Sequence, residues 1–313
     1  MALLEALEVR HTPVMAQEVV SALEVKPLGT FVDCNVGEGG HSLAILSAVT
    51  PEPHLLGIDL DAESLIVARR RLEAYQDAVV LVQGNFADVG AIAKEHGFKP
   101  ADGVLFDLGL SSLQVDTGSR GFSFRQEARL DMRFDPGQET TAYNVVNEYS
   151  EESLADVIFW MGEERRARRV ARAIVRRRPI ETTTQLADVV THALGRPARG
   201  RIHPATRTFQ AIRMTVNKEL DNLEHGLEQA LELLRSGGRV VVISYHSLED
   251  RLVKNKLRHE ASDCICPPET PICICGHKAS IRLINRKVIK PTQAEVQANP
   301  RSRSARMRVA ERI

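Results

Sequence analysis

The chain has 313 residues, enough for one large domain or two ordinary ones, and a 43% hydrophobic content that suits a packed globular protein rather than a disordered one. No run of eighteen apolar residues occurs, and the N-terminal stretch carries acids and no apolar block ahead of a small-residue cleavage site, so neither a transmembrane helix nor a signal peptide is expected and a cytoplasmic protein is. The formal net charge of zero hides segregation: residues 161–213 hold thirteen Arg and no Lys against four acids, and residues 278–313 hold ten Lys or Arg against two Glu. Such clustering is either a solvated face or a surface for a polyanion, whose phosphates match guanidinium geometry.

From Thr30 to Ser112 short apolar runs alternate with helical stretches. "TFVD" reads as a strand and "HSLAILSAV" as the helix after it. "HLLGIDLD" is a second strand, and "AESLIVARRRLEAY" a helix. "AVVLVQGNF" and "DGVLFDLG" are two further strands around a helix at "VGAIAKEH". This order predicts βαβ units and a parallel sheet. The segment "DTGSRGFSFRQEARLDMRFDPGQ" has no sustained period and reads as an ordered loop. Residues 151–195 read as helical throughout, with threonines able to cap the stretch "TTTQLADVVTHALG". One long helix is expected from "HPATRTF" to the glycine pair at 237 and 238. Strands return in "RVVVISYHS", "IRLINRKVI" and "SARMRVAE". The expected organisation is a sheet domain in two parts, 1–112 and 215–313, interrupted by a mostly helical insert at 113–214.

"DCNVGEGGHS", residues 33–42, sets three glycines within four positions behind the first strand. A strand ending in Asp33, a glycine turn and then a helix make the nucleotide-site geometry of a doubly wound sheet, with the ligand beyond the strands' carboxyl ends. Asp59 closes the next strand, placed to take both hydroxyls of a ribose. A dinucleotide turn would set a pyrophosphate against the helix start, and Asp33 and Glu38 do not welcome phosphate. Carboxylates around a glycine loop suit a ligand with a ribose and a cationic sulfonium or ammonium, which favours S-adenosylmethionine over NAD. Phe86 in "GNF" is placed to pack on an adenine, and "FDLGLSS" ends the fourth strand where a methyl group would be presented.

The blocks "HTPVM" (11–15), "GEGGHS" (37–42), "GIDLD" (57–61), "DLGLSSLQVD" (107–116), "RGFSF" (120–124), "LDMR" (130–133) and "GEER" (162–165) occur in order. "HPATRTFQAIR" (203–213), "VNKEL" (216–220), "SYHSLEDR" (244–251) and "NPRSRSARMR" (299–308) follow. Together they closely resemble the bacterial 16S ribosomal RNA cytosine-N4 methyltransferase family, often called RsmH or MraW, from His11 to the C-terminus. The resemblance implies a Rossmann-like α/β sheet with the helical insert. It also implies S-adenosylmethionine-dependent methylation of one cytosine's exocyclic amine in the decoding centre of the small subunit. By motif match the cofactor contacts fall on Gly39, Gly40, His41, Asp59, Phe86, Asp107 and Gln114.

Many amino-methylating enzymes carry an Asp/Asn/Ser-Pro-Pro-aromatic tetrad at the fourth strand end; here it reads Asp107-Leu-Gly-Leu, with no aromatic to stack a base. Asp107, Ser111 and Ser112 are the candidate acceptors for the amine. His246 at the end of the fifth strand is either a proton acceptor or a packing residue. Arg207, Arg213 and the arginines from 165 to 178 are the expected phosphate contacts. Cys264, Cys266, Cys273 and Cys275 form two C-x-C pairs among Pro267, Pro268 and Pro271. A four-thiolate zinc site and a rigid metal-free loop both remain open, with the loop preferred and no metal assigned. Cys34 reads as a small packing residue. Three rival functions are weighed: a NAD oxidoreductase, a small-molecule methyltransferase, and a non-catalytic ribosome-assembly factor. The charged glycine turn argues against the first and the arginine-rich insert against the second. Nothing in the third requires the cofactor strand ends.

Overall fold

The computed structural model describes residues 12–111, 114, 118–195, 203–267, 269, 270 and 272–313. Two compact units are built from the chain, Met1–Gly109 with Leu220–Ile313, and Leu110–Glu219. In the first, α1 (Ala16–Leu23) precedes β1 (Thr30–Asp33), α2 (Gly40–Leu46), β2 (His54–Asp59), α3 (Ala62–Arg71), β3 (Val79–Gln83), α4 (Val89–Glu95) and β4 (Ala101–Asp107). After the second unit come α10 (Glu219–Leu233), β5 (Leu234–Ser244), α11 (Ser247–Glu260), β6 (Ile281–Leu283), α12 (Gln293–Ala298) and β7 (Arg306–Arg312).

The seven strands pair in the order β3-β2-β1-β4-β5-β7-β6. Strands β1 to β5 run parallel, whereas β7 is antiparallel to both β5 and β6. The central strands are buried on both faces, as a parallel sheet with helices on either side requires. Val32, Val104, Phe106, Val240 and Val242 face one core with Leu223, Leu227 and Leu231 of α10. Phe31, Leu105, Val241 and Ile243 alternate with them and face the other, against Val19 and Leu23 of α1. The connection reverses direction between β1 and β4, which opens a crevice at their carboxyl ends.

The two ends of this unit are tied together. Glu295 Oε1 accepts from the Met15 N–H at 2.7 Å, and Asn299 Nδ2 donates to the Thr12 carbonyl at 3.3 Å. Asp250 of α11 takes Arg308 Nε at 2.7 Å and Arg306 Nη1 at 3.1 Å from β7.

The second unit is helical: α5 (Ala142–Glu148), α6 (Glu151–Trp160), α7 (Ala167–Arg177), α8 (Thr183–Leu194) and α9 (Ala205–Asn217). Its core holds Leu130, Leu154, Ile158, Val170, Ile174, Leu186, Val190, Phe209 and Ile212. The reading of 151–195 as helical throughout is corrected by breaks at 161–166 and 178–182. A Cβ on Gly162 would meet the carbonyls of Ile158 and Arg207 at 2.6 and 2.8 Å, so backbone passes where a side chain would stand. Thr182 does cap α8, in a reciprocal box with Gln185.

The single long helix expected after "HPATRTF" is also two. Lys218 adopts the left-handed conformation (φ 50°) between α9 and α10. The glycine pair does not end a helix either: β5 already begins at Leu234, and Gly237 turns within it at φ 76°. The loop before α5 is ordered by its own polar groups. Arg133 clasps Asp131 and donates to the carbonyls of Pro136 and Gln138. Asn217 Nδ2 donates to Met132 O and its Oδ1 accepts from Phe134 N–H, both at 2.8 Å.

Candidate active site at the carboxyl ends of the sheet

Asp33 is fully buried at the end of β1, where Oδ1 accepts from the Asn35 N–H at 3.2 Å and Oδ2 from the Ser42 hydroxyl at 2.7 Å. Burial pushes its carboxyl above the ordinary range, against the pull of His41. The glycine turn follows. Gly37 (φ 51°) and Gly39 (φ 78°) take conformations that a side chain resists. A Cβ on Gly39 would sit 3.4 Å from the Ala68 backbone, and one on Gly40 would lie 3.2 Å from Pro13. The bare backbone therefore serves close packing as well as the turn.

Asp59 at the end of β2 links the turn to the next strand. Its Oδ2 accepts from the Gly37 N–H at 2.8 Å and its Oδ1 from the Asp61 N–H at 2.9 Å. The residue as a whole is half-buried. Burial raises its pKa to about 6, with the two N–H donors opposing the rise. Beyond β3, Asn85 Oδ1 accepts from the Ala87 N–H, and the Phe86 ring meets Phe106 edge-on at 5.6 Å between centroids. Gly226 of α10 approaches so closely that a Cβ there would lie 2.7 Å from the Phe86 ring.

Asp107 ends β4. Its Oδ1 accepts from the Tyr245 hydroxyl at 2.8 Å, and its Oδ2 lies 3.3 Å from His41 Nε2, an ion-pair distance without hydrogen-bond alignment. Burial would lower the His41 pKa, but the Asp107 and Asp33 carboxylates outweigh it and the net shift is upward. Burial and Asp107 push the Tyr245 phenol far above its ordinary value, so it remains a donor. Gly109 (φ 111°) lets the chain pass beside the Tyr245 ring, which a Cβ would approach to 3.3 Å.

Three carboxylates thus stand at adjacent strand ends, and between neighbours the effect runs in one direction each: Asp107 raises the pKa of Asp33, and Asp33 raises that of Asp59. His41 also keeps both ring nitrogens buried without an aligned partner. An acidic crevice of this kind, with the His41 imidazole in it, fits a ligand with a sulfonium, an ammonium and a ribose diol, and it repels a pyrophosphate.

The sequence profile of the MraW methylase family matches residues 8–313. The chain belongs to the MraW methylase family. "Ribosomal RNA small subunit methyltransferase H" of Dehalococcoides mccartyi is 54% identical over 98% of this chain and 87% of its own length. The protein of the same name from Thermomicrobium roseum is 49% identical, covering 100% of this chain and 97% of that one. Among solved structures, an rRNA methylase from Streptococcus thermophilus aligns with a TM-score of 0.43 at 9% identity, over 96% of this chain and 95% of that one. That likeness is too remote to inform the site.

In the methylase, the first unit brings Gly39, Gly40, His41, Asp59, Phe86 and Asp107 to the carboxyl ends of its strands. Gln114 and Ser111 lie in the second unit and engage each other: Ser111 N–H donates to Gln114 Oε1 and Gln114 N–H to Ser111 Oγ, both at 3.1 Å. Ser112 lies outside the described residues. His246 caps α11, its Nδ1 accepting from the Glu249 N–H at 3.3 Å and its Nε2 standing 3.0 Å from Glu249 Oε1. Glu249 Oε2 returns to the N–H groups of Tyr245 and His246. These contacts make His246 a helix cap, which is neither of the roles expected for it. Tyr245 was missed because its hydroxyl meets Asp107 only through the pairing of β4 with β5.

The second unit carries its own charged surface. On α7, Ala167, Val170, Ala171 and Ile174 are buried, while Arg168, Arg169, Arg172, Arg176 and Arg177 are exposed on the other side. Arg172 pairs with Glu151 at 3.4 Å; for Arg168, Arg169, Arg176 and Arg177 no ion pair occurs among the described residues. Others of the expected phosphate contacts are engaged as well: Arg166 donates to the Leu194 carbonyl at 3.0 Å and Arg207 to the Glu163 carbonyl at 3.1 Å. Arg213 forks onto Glu219 at 2.7 and 2.8 Å, and Arg178 donates to the carbonyls of Val146 and Tyr149.

Proposed function

We propose that the protein transfers a methyl group from S-adenosylmethionine to the N4 amine of one cytidine in the decoding centre (P site) of 16S rRNA, within the small ribosomal subunit. The carrying observation is the set of three carboxylates Asp33, Asp59 and Asp107 at adjacent parallel strand ends around a glycine turn. Relatives named for ribosomal RNA methylation support the substrate class. On this reading Gly39, Gly40 and His41 line the cofactor's amino-acid end, Asp59 takes the ribose hydroxyls and Phe86 borders the adenine. Gln114 is carried over by motif. Bound there, the cofactor supplies an activated methyl group on a sulfonium.

The remaining work falls to side chains. Cytosine's amine is a poor nucleophile because its lone pair is delocalised into the ring. Asp107 accepts from the amine N–H, which turns the lone pair toward the methyl and gives the departing proton a destination. Tyr245 fixes the rotation of that carboxylate through Oδ1, and the His41 ring stands beside Oδ2. Orientation of this kind supplies about 7–11 kcal/mol for a well-placed pair. His246 and Glu249 position Tyr245 by anchoring its backbone N–H at the start of α11.

RNA phosphates are held by Arg168, Arg169 and their neighbours on α7, and by Arg207, whose side chain is 57% exposed. No helix among the described residues is long and apolar enough to cross a membrane, in keeping with a cytoplasmic ribosomal substrate. Transfer of tritium from labelled cofactor into small subunits lacking the modification, with naked 16S rRNA in parallel, tests the reading. N4-methylcytidine at a single position is expected. Label in another nucleoside, or in neither substrate, overturns it.

A further inference from the structure

Between α11 and β6 the chain leaves the sheet in a loop whose base is closed. The Ser280 N–H donates to the Glu260 carbonyl at 2.8 Å, its hydroxyl donates to Glu260 Oε2 at 2.9 Å, and His277 Nε2 lies 3.1 Å from the His259 carbonyl. Past that base the loop buries little apolar surface: Ile265, Ile272 and Ile274 are 43%, 77% and 85% exposed. Pro268 and Pro271, expected to stiffen it, lie outside the described residues. Hydrophobic packing therefore does not hold this segment in shape.

Four thiols converge there instead. The sulfurs of Cys264, Cys266, Cys273 and Cys275 all lie within 4.8 Å of one another, although six residues separate the two pairs. Cys273 and Cys275 approach to 3.5 Å, and Cys264 and Cys275 to 3.9 Å. None is in a disulfide. We propose that these four cysteines bind one zinc ion, and that the ion is the clip that shapes the loop.

The spacing carries the inference. A tetrahedral site with Zn–S bonds of about 2.3 Å has sulfur-to-sulfur edges of about 3.8 Å, close to the separations present. A polynuclear iron–sulfur cluster attaches its thiolates to different irons and holds them farther apart. The set is all sulfur, which favours a soft ion over a hard one. Backbone donors already point at the sulfurs, Ile265 N–H at Cys275 Sγ (3.5 Å) and Cys266 N–H at Cys264 Sγ (3.4 Å). Such outer contacts spread the negative charge that four thiolates would otherwise concentrate. With four protein ligands the coordination is closed, so the ion is structural and takes no part in methyl transfer.

The test uses full-length protein purified without chelator. About one zinc per chain is expected, and Cys266→Ser with Cys273→Ser should abolish it. Cobalt(II) exchanged into the site should give the intense visible bands of a tetrahedral thiolate complex. Removing the metal should speed protease cleavage within 262–280 while leaving the rest of the chain resistant. Less than about a tenth of an equivalent of metal, with all four thiols reacting freely in the native protein, overturns the proposal. Iron in place of zinc overturns it as well. If the double variant does not fold, chelator-treated wild type, checked by its melting curve, answers the same question.

Discussion

Replacing Asp59 with Asn removes one negative charge from the proposed ribose wall while keeping the side chain's size. Burial holds this carboxyl near pKa about 6 despite the Gly37 and Asp61 N–H donors. The free site therefore resists ionisation, whereas ribose hydroxyls donating to Asp59 favour the ionised form. Binding must then draw a proton off the wild-type site at low pH. At pH 5 only about one-tenth of Asp59 is charged, so affinity should be about tenfold weaker than at pH 8, each pKa unit being worth about 1.4 kcal/mol. The slope of log affinity against pH should approach +1 below pH 6 and flatten above it. Stability carries the opposite sign. The folded pKa lies above the unfolded value of about 3.9, so the contribution is full below pH 4 and is lost as pH rises toward 6. The Asn variant should bind the cofactor at least tenfold more weakly at pH 8, for a lost charged hydrogen bond of about 1.5–3 kcal/mol. Its affinity should also lose the wild-type slope between pH 5 and 6.5. Calorimetric titrations at constant ionic strength read both. Titration of His41, or of the ligand, is common to the two proteins and drops out of the difference. A flat wild-type profile, or a slope that survives in the variant, would refute the assignment of Asp59 to the ribose.

Tyr245→Phe keeps the ring beside Gly109 but removes the donor to Asp107 Oδ1; single-turnover methyl transfer should fall by about 10- to 150-fold, for about 1.5–3 kcal/mol. An unchanged rate would show that Asp107 needs no such orientation. Asp250 is held below the ordinary carboxylate range because Arg308 and Arg306 outweigh its burial; this contribution is present above about pH 4 and fades as pH falls through the folded pKa. Asp250→Asn should therefore cost about 3 kcal/mol at pH 7, read by urea melts, and shrink the acid-side loss of stability. Reversing Arg168 and Arg169 to Glu should weaken subunit binding and lower the slope of log affinity against log salt by roughly 0.7–0.9 per lost phosphate contact. A wild-type salt slope in that variant would make α7 a solvated face only.

The strand ends were legible because each follows a short apolar run and stops on a polar residue, as β1 does at Asp33 and β4 at Asp107. A continuous apolar run, as a strand buried on both faces requires, is local information, and so is the Thr182 cap of α8. The breaks were not local. Gly162 sits in a stretch that keeps helical composition, and the carbonyl of Arg207, far along the chain, joins that of Ile158 in leaving no room for a side chain there. Lys218 is an ordinary helix former, yet it takes φ 50° where Asn217 binds back to Met132 and Phe134. Gly237 and Gly238 look like a helix terminus but turn inside β5, since the strand's start is set by pairing with β4. In the site, the spacing of acids pointed to a cationic ligand. The Tyr245 bond to Asp107 depends on which strands become neighbours, which "SYHS" by itself does not state, whereas the His246 cap is a local contact with Glu249 three residues on.

The zero net charge is the sum of two opposed surfaces, and their opposition bears on what the proposed site admits. A phosphate brought within about 4 Å of an ionised Asp107 meets repulsion of about 4 kcal/mol at an effective dielectric of 20, before Asp33 and Asp59 are added. On the proposed reading, an RNA backbone is thus kept from the strand ends and held by exposed arginine instead. The part of a polynucleotide that can reach Asp107 is an uncharged base turned out of its stack. Asp107, with Oδ1 taken by Tyr245, offers an acceptor to that base and no donor. An exocyclic amine meets it with an N–H, whereas uridine would set its O4 against the carboxylate and leave both oxygens unpaired. On the proposed reading, the discrimination of cytidine from uridine follows from one half-buried acceptor, the case in which a missing donor is rejected far more strongly than a misfit in size.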